Sequence, residues 1–519
     1  MKKFLAILLS AVLMLSLTVP SMAVETVTNN TNHDYKAYQI FAGTQGEGTT
    51  LGDIVWGSGI DASKTTDLMT ALKAVDAFAA CADAAAIAEV LAGKQDNDPV
   101  VLKFAQIVSQ YLSDTATEIK STDNSVTLLA GYYLLVDQTT TNGVQDEVKG
   151  LSLLQVTKDG NIEIKLKTDK PTVDKQVWDE TADKDKNTTD ANWGETADHD
   201  IGEEFQFRLI ATIPADTMTY FDTYKIIFKD EMSDGITFVE IDSVTVDGKN
   251  VDSANYVENA TAAANKDGLD WTLTIENVKT AVSPLDTAAA VEVVVTYTAK
   301  LNDGAVIAPA GNPNTVGLQY SNNPNVDGEG QTGNTVKDTV WVFTYEVNGT
   351  KVDGGDNTKK LSGAEFVLYR KAVDKNNTEV LEYVTLDGNK KVTGWTTTKP
   401  ATGNIVTVAD GIIKITGLDH GTYYLEETKA PNGYNLLDAP YEVKIDAEHY
   451  ESEDTTTATT KFTVNGVETN PEITVENNAG ATLPETGGIG TTIFYAVGGV
   501  MVAVAAILLI TKKRMSAES

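Results

Sequence analysis

The feature that most restricts the fold is the rhythm of residues 173–477. Short alternating runs such as Phe205-Gln206-Phe207-Arg208-Leu209-Ile210, Val293-Val294-Val295-Thr296-Tyr297 and Glu365-Phe366-Val367-Leu368-Tyr369 are separated by Gly, Asn and Asp turns, as at Asp247-Gly248 and Asp387-Gly388. A side-chain period of two sends alternate residues to a core and to water, and turns at such short intervals leave no room for long helices. The reading is mainly β: tandem immunoglobulin-like antiparallel sandwiches. One stretch departs from it. Residues 67–112 are Ala-rich, with Leu68, Leu72 and Val75, then Ile87, Val90 and Leu91, then Phe104, Ile107, Val108 and Tyr111 at helical spacing. Two or three helices inserted in the first domain are expected there, with Cys81 packed among them as a small apolar side chain.

A chain of 519 residues is too long for one core. Lys170-Pro171 and the Asn-, Gly- and Pro-dense segment 322–338 mark the joints, which gives domains over 24–170, 171–338 and 339–480. With 74 acidic against 40 basic side chains the formal charge is −34, which excludes nucleic acid as a partner because nothing offsets phosphate repulsion. A hydrophobic share of 42% excludes a disordered acidic tail. Cys81 is the single cysteine, so no intrachain disulfide can form, and an exported chain must obtain its durability otherwise. No cofactor and no metal site are expected: there are four histidines, and the calcium-loop-like segment from Asn323 ends on Asn334 where a bidentate Glu is needed. No Ser-His-Asp or phosphate-cradling pattern marks a turnover enzyme.

The ends set the address. Lys2 and Lys3, the apolar run Phe4 to Val19 and the small residues Ser21 and Ala23 form a secretory signal over residues 1–23, cut after Ala23. At the other end Leu483-Pro484-Glu485-Thr486-Gly487 precedes an apolar span from Ile489 to Ile510 and the basic cluster Lys512-Lys513-Arg514. Pentapeptide, span and basic tail in that order, over residues 481–519, resemble the sorting signal of Gram-positive surface proteins. The resemblance implies that a sortase cysteine attacks the Thr486 carbonyl and releases Gly487 onward, making the membrane span transient and the destination the cell wall.

Two internal segments carry a further resemblance. Tyr423-Tyr424-Leu425-Glu426-Glu427-Thr428-Lys429-Ala430-Pro431-Asn432-Gly433-Tyr434 matches every fixed position of YxLxExxAPxGY, the E-box of Gram-positive pilins, and Leu361 to Tyr369 resembles the second strand of a collagen-adhesin B-type domain. Residues 171–338 resemble the A-like pilin sandwich. The resemblance implies a Lys and an Asn fused side chain to side chain beside a buried acid. Burial lowers an amine's pKa and raises a carboxyl's, giving a neutral nucleophile and a proton donor that polarises the Asn carbonyl. In the B-type domain the trio is Lys351, Asn477 and catalytic Glu427, with Asn478 as the adjacent alternative on the opposite face. In the A-like domain it is Lys175, Asn322 and catalytic Asp230. His33 to Phe41 and Gly131 to Asp137 resemble major-pilin N-terminal strands, and Lys36 is a further amine without an assigned partner.

Backbone pilins end their first domain on a lysine that attacks the sortase-held Thr of the next subunit. By position that amine is Lys167, with Lys165 and Lys170 as rivals, because Lys165-Leu166 stands where the family has Tyr-Pro. The resemblance therefore implies the structural backbone subunit of a sortase-assembled surface pilus, or fimbria, supporting adhesion. Its partners are sortase, identical subunits, accessory pilins and peptidoglycan. The alternative is a monomeric wall-anchored adhesin built from the same modules, and a third reading is a secreted enzyme carried on such stalks.

Overall fold

The computed structural model describes residues 24–31, 33–45, 50–95, 98–122, 125–138, 151–156, 160–164, 170–179, 192–324, 331–373, 377–451, 458–467, 472–480 and 489–515. The signal segment 1–23, Lys165, Lys167 and the sorting pentapeptide 483–487 lie outside them.

The first unit pairs two small sheets. The strand Val24–Asn29 lies between Ser125–Leu129 and Gly160–Ile164, while Tyr35–Gln45 lies between Leu51–Trp56 and Gly131–Asp137, with Leu151–Val156 beyond. Helices Thr65–Lys73, Ala84–Leu91 and Pro99–Val108 occupy the Ala-rich stretch. Their starts follow from local chemistry: Asp83 accepts from the Ala86 amide, and Asp98 from that of Val100, with Pro99 at the first helical position. Leu68, Leu72, Phe78, Ile87 and Phe104 are buried against Ile40 and Phe41, and Cys81 packs with them. Gln106 and Lys103 on the last helix reach the next unit, at the Tyr220 carbonyl (3.1 Å) and Asp222 (2.6 Å).

The second unit is a sandwich. One sheet runs Thr172–Trp178, Glu204–Ile213, Val291–Leu301, Ile236–Val246; the other runs Thr196–Asp198, Asp338–Phe343, Asn312–Ser321, Ile226–Met232, Asp270–Ile275. Strict alternation is visible in Val291–Leu301 and Asn312–Ser321, whose every second side chain is buried. The strand Asp338–Phe343 pairs with 312–316, so this unit runs on to Phe343 rather than ending at residue 338 as the composition suggested. Loop-like sequence ahead of residue 338 hid a strand that returns to close the sheet.

In the third unit Tyr345–Asp353 lies between Ile412–Leu418, antiparallel, and Glu472–Asn477, parallel. The facing sheet runs Val392–Thr396, Glu379–Leu386, Glu365–Val373, Gly421–Lys429, Tyr441–Glu451, Ala458–Val464. Phe366, Leu368, Ile413, Ile415, Leu425 and Val443 fill the space between them. The second and third units are tied directly: the Ile201 amide donates to the Gly417 carbonyl at 3.0 Å, and Asp200 accepts from Arg370 and Trp395, each at 2.7 Å. The chain closes on helix Ile489–Met515, which is long and apolar enough over Ile493–Arg514 to cross a membrane.

Candidate functional site

Parallel pairing places Lys351 opposite Val475 and Asp353 opposite Asn477, so Lys351 and Asn477 are diagonal neighbours on one face of adjacent strands. Both are buried, at 0% and 1% exposure, and Glu427 joins them from the facing sheet at 4%. Leu425 and Glu427 point inward together, the acid continuing an apolar column. The Lys351 Nζ donates to the Val475 carbonyl at 2.9 Å. Glu427 Oε2 accepts from Asn477 Nδ2 at 2.9 Å and from the Leu437 amide at 3.0 Å. The Asn477 side chain also donates to the Asn435 carbonyl. Glu427 Oε1 and Asn477 Oδ1 are buried without a hydrogen-bond partner. An open acid oxygen and an open amide oxygen in the same dry site are what carboxyl-assisted attack on an amide requires. Burial holds the Lys351 amine down at about 8, against the pull of Glu427 and Glu476. Asn478 is exposed and faces away. Gly433 of the E-box has φ +87°, a left-handed turn that returns the chain and sets Tyr434 to donate to Asp353 at 2.7 Å.

The second sandwich builds a comparable group across its two sheets. Lys175 and Asp230, at 0% and 1% exposure, are in direct contact. Tyr297 supplies a hydroxyl 3.1 Å from Lys175 Nζ and 3.2 Å from both Asp230 oxygens. The rings of Phe207 and Tyr297 lie 5.1 and 5.3 Å from the amine. Burial pushes the Lys175 amine down and the Asp230 carboxyl up, both toward a neutral pair. Burial, with Asp230 beside it, holds the Tyr297 hydroxyl well above its ordinary range, so it stays a phenol.

The asparagine in this group is Asn314, a correction to Asn322. Asp230 faces Val316 and Met232 faces Asn314, whose Nδ2 donates to the Tyr297 hydroxyl at 2.6 Å while its Oδ1 is buried without a partner. Asn322 lies six residues from Val316, roughly 20 Å along the strand, beyond the Ile226–Tyr320 pair. Both asparagines share the inward parity of the strand, so alternation could not separate them; register does. Tyr297 was also missed, since a Tyr inside an apolar run gives no signal of its own. Lys36 is half-buried and pairs with Val136 and Glu118 on neighbouring strands.

Residues 345–461 match the prealbumin-like fold domain family, and residues 475–516 the LPXTG cell wall anchor motif. The chain is similar to the trypsin-resistant surface T6 protein of Streptococcus pyogenes serotype M6, 26% identical over 341 residues covering 64% of this chain and 54% of the relative. It is also similar to the fimbrial subunit type 1 of Actinomyces viscosus, 28% identical over 240 residues covering 42% and 43%. The chain thus spans about half the length of the curated relatives it matches. Among solved structures, the T6 backbone pilin of serotype M6 Streptococcus pyogenes aligns at a TM-score of 0.48 and 16% identity, covering 90% of this chain and all of that one. The chain is a surface protein with an LPXTG cell wall anchor motif and a prealbumin-like domain, similar to a streptococcal surface protein and an Actinomyces fimbrial subunit.

Proposed function

We propose that this protein is the backbone subunit of a covalent, sortase-assembled pilus, with its sandwiches stitched internally by Lys–Asn amides. The observation that carries the stitching is the dry convergence of Lys351, Glu427 and Asn477, each from a different strand of the E-box domain. The neutral Lys351 amine attacks Asn477 Cγ while the Glu427 carboxyl relays the amine's proton to the departing nitrogen. The Lys351 Nζ–Cγ bond forms, the Cγ–Nδ2 bond breaks, and the proton lost by the amine leaves with the amide nitrogen as ammonia. Glu427 ends as it began, so each bond forms once and no turnover follows. Asp230 does the same for Lys175 and Asn314, with Tyr297 holding the amine and the amide on one hydroxyl.

Assembly uses the ends. Sortase, with a cysteine nucleophile, exchanges the Thr486–Gly487 bond for an acyl-enzyme, and the Lys167 amine of another copy takes the acyl group; the last copy is passed to peptidoglycan. Two outcomes test the whole reading. The intact mass of the purified chain is expected to fall short of its sequence mass by two ammonias. Cell-wall extracts are expected to give a detergent-resistant ladder that disappears in Lys167→Ala. A ladder-free wild type with intact internal bonds would instead indicate a monomeric wall-anchored adhesin.

A further inference from the structure

Two of the chain's four histidines meet two buried aspartates at the joint between the second and third sandwiches, apart from both lysine sites. Asp198 comes from the strand Thr196–Asp198 of the second unit. Asp419 and His420 come from the turn before Gly421–Lys429, and His449 from Tyr441–Glu451, all of the third. Asp198 and Asp419 are 4% and 6% exposed. His420 Nδ1 lies 2.9 Å from Asp198 Oδ2 and 3.4 Å from Asp419 Oδ1, and His449 Nε2 lies 3.0 Å from Asp198 Oδ1. We propose that this cluster is a binding site for a zinc-class divalent cation that locks the angle between the two domains.

Three observations carry the assignment. The spacings are those of one coordination shell: bonds of about 2.0–2.1 Å in a tetrahedron put ligand atoms about 3.3 Å apart. His420 Nδ1 is fully buried, yet neither oxygen beside it lies in a hydrogen-bonding direction from the ring. It is aimed between two carboxylates rather than at either. His449 braces the group from outside: its Nδ1 meets the Thr196 hydroxyl at 2.9 Å and its Nε2 lies 3.0 Å from Asp198 Oδ1, holding that carboxylate in place. Tyr345 donates to Asp198 Oδ1 and the His420 amide to Asp419 Oδ1 at 2.7 Å, partners that position the carboxylates.

The donor chemistry selects the ion. One imidazole with two carboxylates, leaving a fourth position open, suits zinc, whereas calcium prefers six to eight oxygens and magnesium an octahedral oxygen shell. The setting is acidic as well. Asp198, Asp200 and Asp419 converge, and the Arg370 guanidinium is committed to Asp200 and Glu382. A route in exists, since the side chains of His420 and His449 keep 25% and 15% of their surface exposed. Ligands from both domains mean that a bound ion removes hinge freedom at the joint.

The test uses the full chain in detergent, stripped with chelator and titrated at about pH 7.5. Zinc chloride is expected to bind at one site per chain by calorimetry. Cobalt chloride is expected to give the intense visible bands of a tetrahedral centre, which zinc then erases. His420→Ala and His449→Ala are each expected to weaken binding by about tenfold or more. No binding to the wild-type chain, cobalt bound with only weak octahedral absorption, or zinc affinity unchanged in both variants would each overturn the assignment. So would a preference for calcium over zinc.

Discussion

Replacing Glu427 by Gln should leave the third domain folded but unstitched. The substitution keeps an oxygen able to accept from Leu437, so the direct loss is about 1 kcal/mol, one neutral hydrogen bond exchanged for another. It removes the carboxyl that relays the proton, so Lys351 and Asn477 stay separate. The lost cross-link closes a loop of roughly 125 residues, for which the chain-entropy relation gives about 16 cal/mol/K, or about 5 kcal/mol at 25 °C. A domain of roughly 135 residues unfolds with about 0.28 kcal/mol/K, so its midpoint should fall by about 15–20 °C. Calorimetry of the full chain reads this directly, because the second domain's transition should not move. Intact mass should show one ammonia restored. If the ammonia is restored but the midpoint drops by only a few degrees, the loop-entropy reasoning is wrong. If the ammonia deficit is unchanged, Glu427 is not the catalyst.

Other outcomes follow from the same geometry. Asn314→Ala should abolish one ammonia loss, as should Asp230→Ala, whereas Asn322→Ala should leave the mass deficit at two; intact mass spectrometry decides between the asparagines. In an Asn477→Ala chain the Lys351 amine remains free, held at about 8 folded against 10.5 unfolded. The unfolded state then binds more protons between those values, so stability should be flat below about pH 8 and rise toward about 10.5, measured by urea melts across that window. Lys167→Ala should remove the pilus ladder on denaturing gels; persistence there with loss in Lys165→Ala or Lys170→Ala would move the polymerising amine.

The fold was largely legible because alternation and turn spacing are local properties. The runs 205–210, 293–297 and 365–369 all fall within strands, and the Ala-rich stretch supplies three helices. The E-box group was readable for the same reason: Leu425 and Glu427 share a face whatever the partner strand, and the parity of Asn477 excludes Asn478. What failed depends on register and return paths. Asn314 and Asn322 are equivalent by parity, and only the pairing of Asp230 with Val316 separates them. The strand Asp338–Phe343 was lost behind a Gly- and Asn-rich segment. The joint cluster was invisible because Asp198, Asp419, His420 and His449 are scattered over some 250 positions with no ligand spacing among them.

The two proposed stitches would not shield their domains equally. In the third sandwich the bond would end at Asn477, the last residue of the last strand, so tension entering at Tyr345 would cross to the exit and the intervening chain would slacken. In the second it would end at Asn314, leaving residues 315–343 in series with the load. That tail folds back so that Val340 lies beside Asn314, held noncovalently by strand pairing, by the buried Val340 and Val342, and by side-chain contacts such as Thr315–Thr339 and Lys337–Glu231. Peeled open, some 29 residues at about 3.3–3.6 Å each would lengthen every subunit by on the order of 90 Å before any covalent bond is stressed. A fibre of such units would therefore be a chain of rigid links, each carrying one sacrificial spring that gives under a sudden tug and rewinds when the pull subsides.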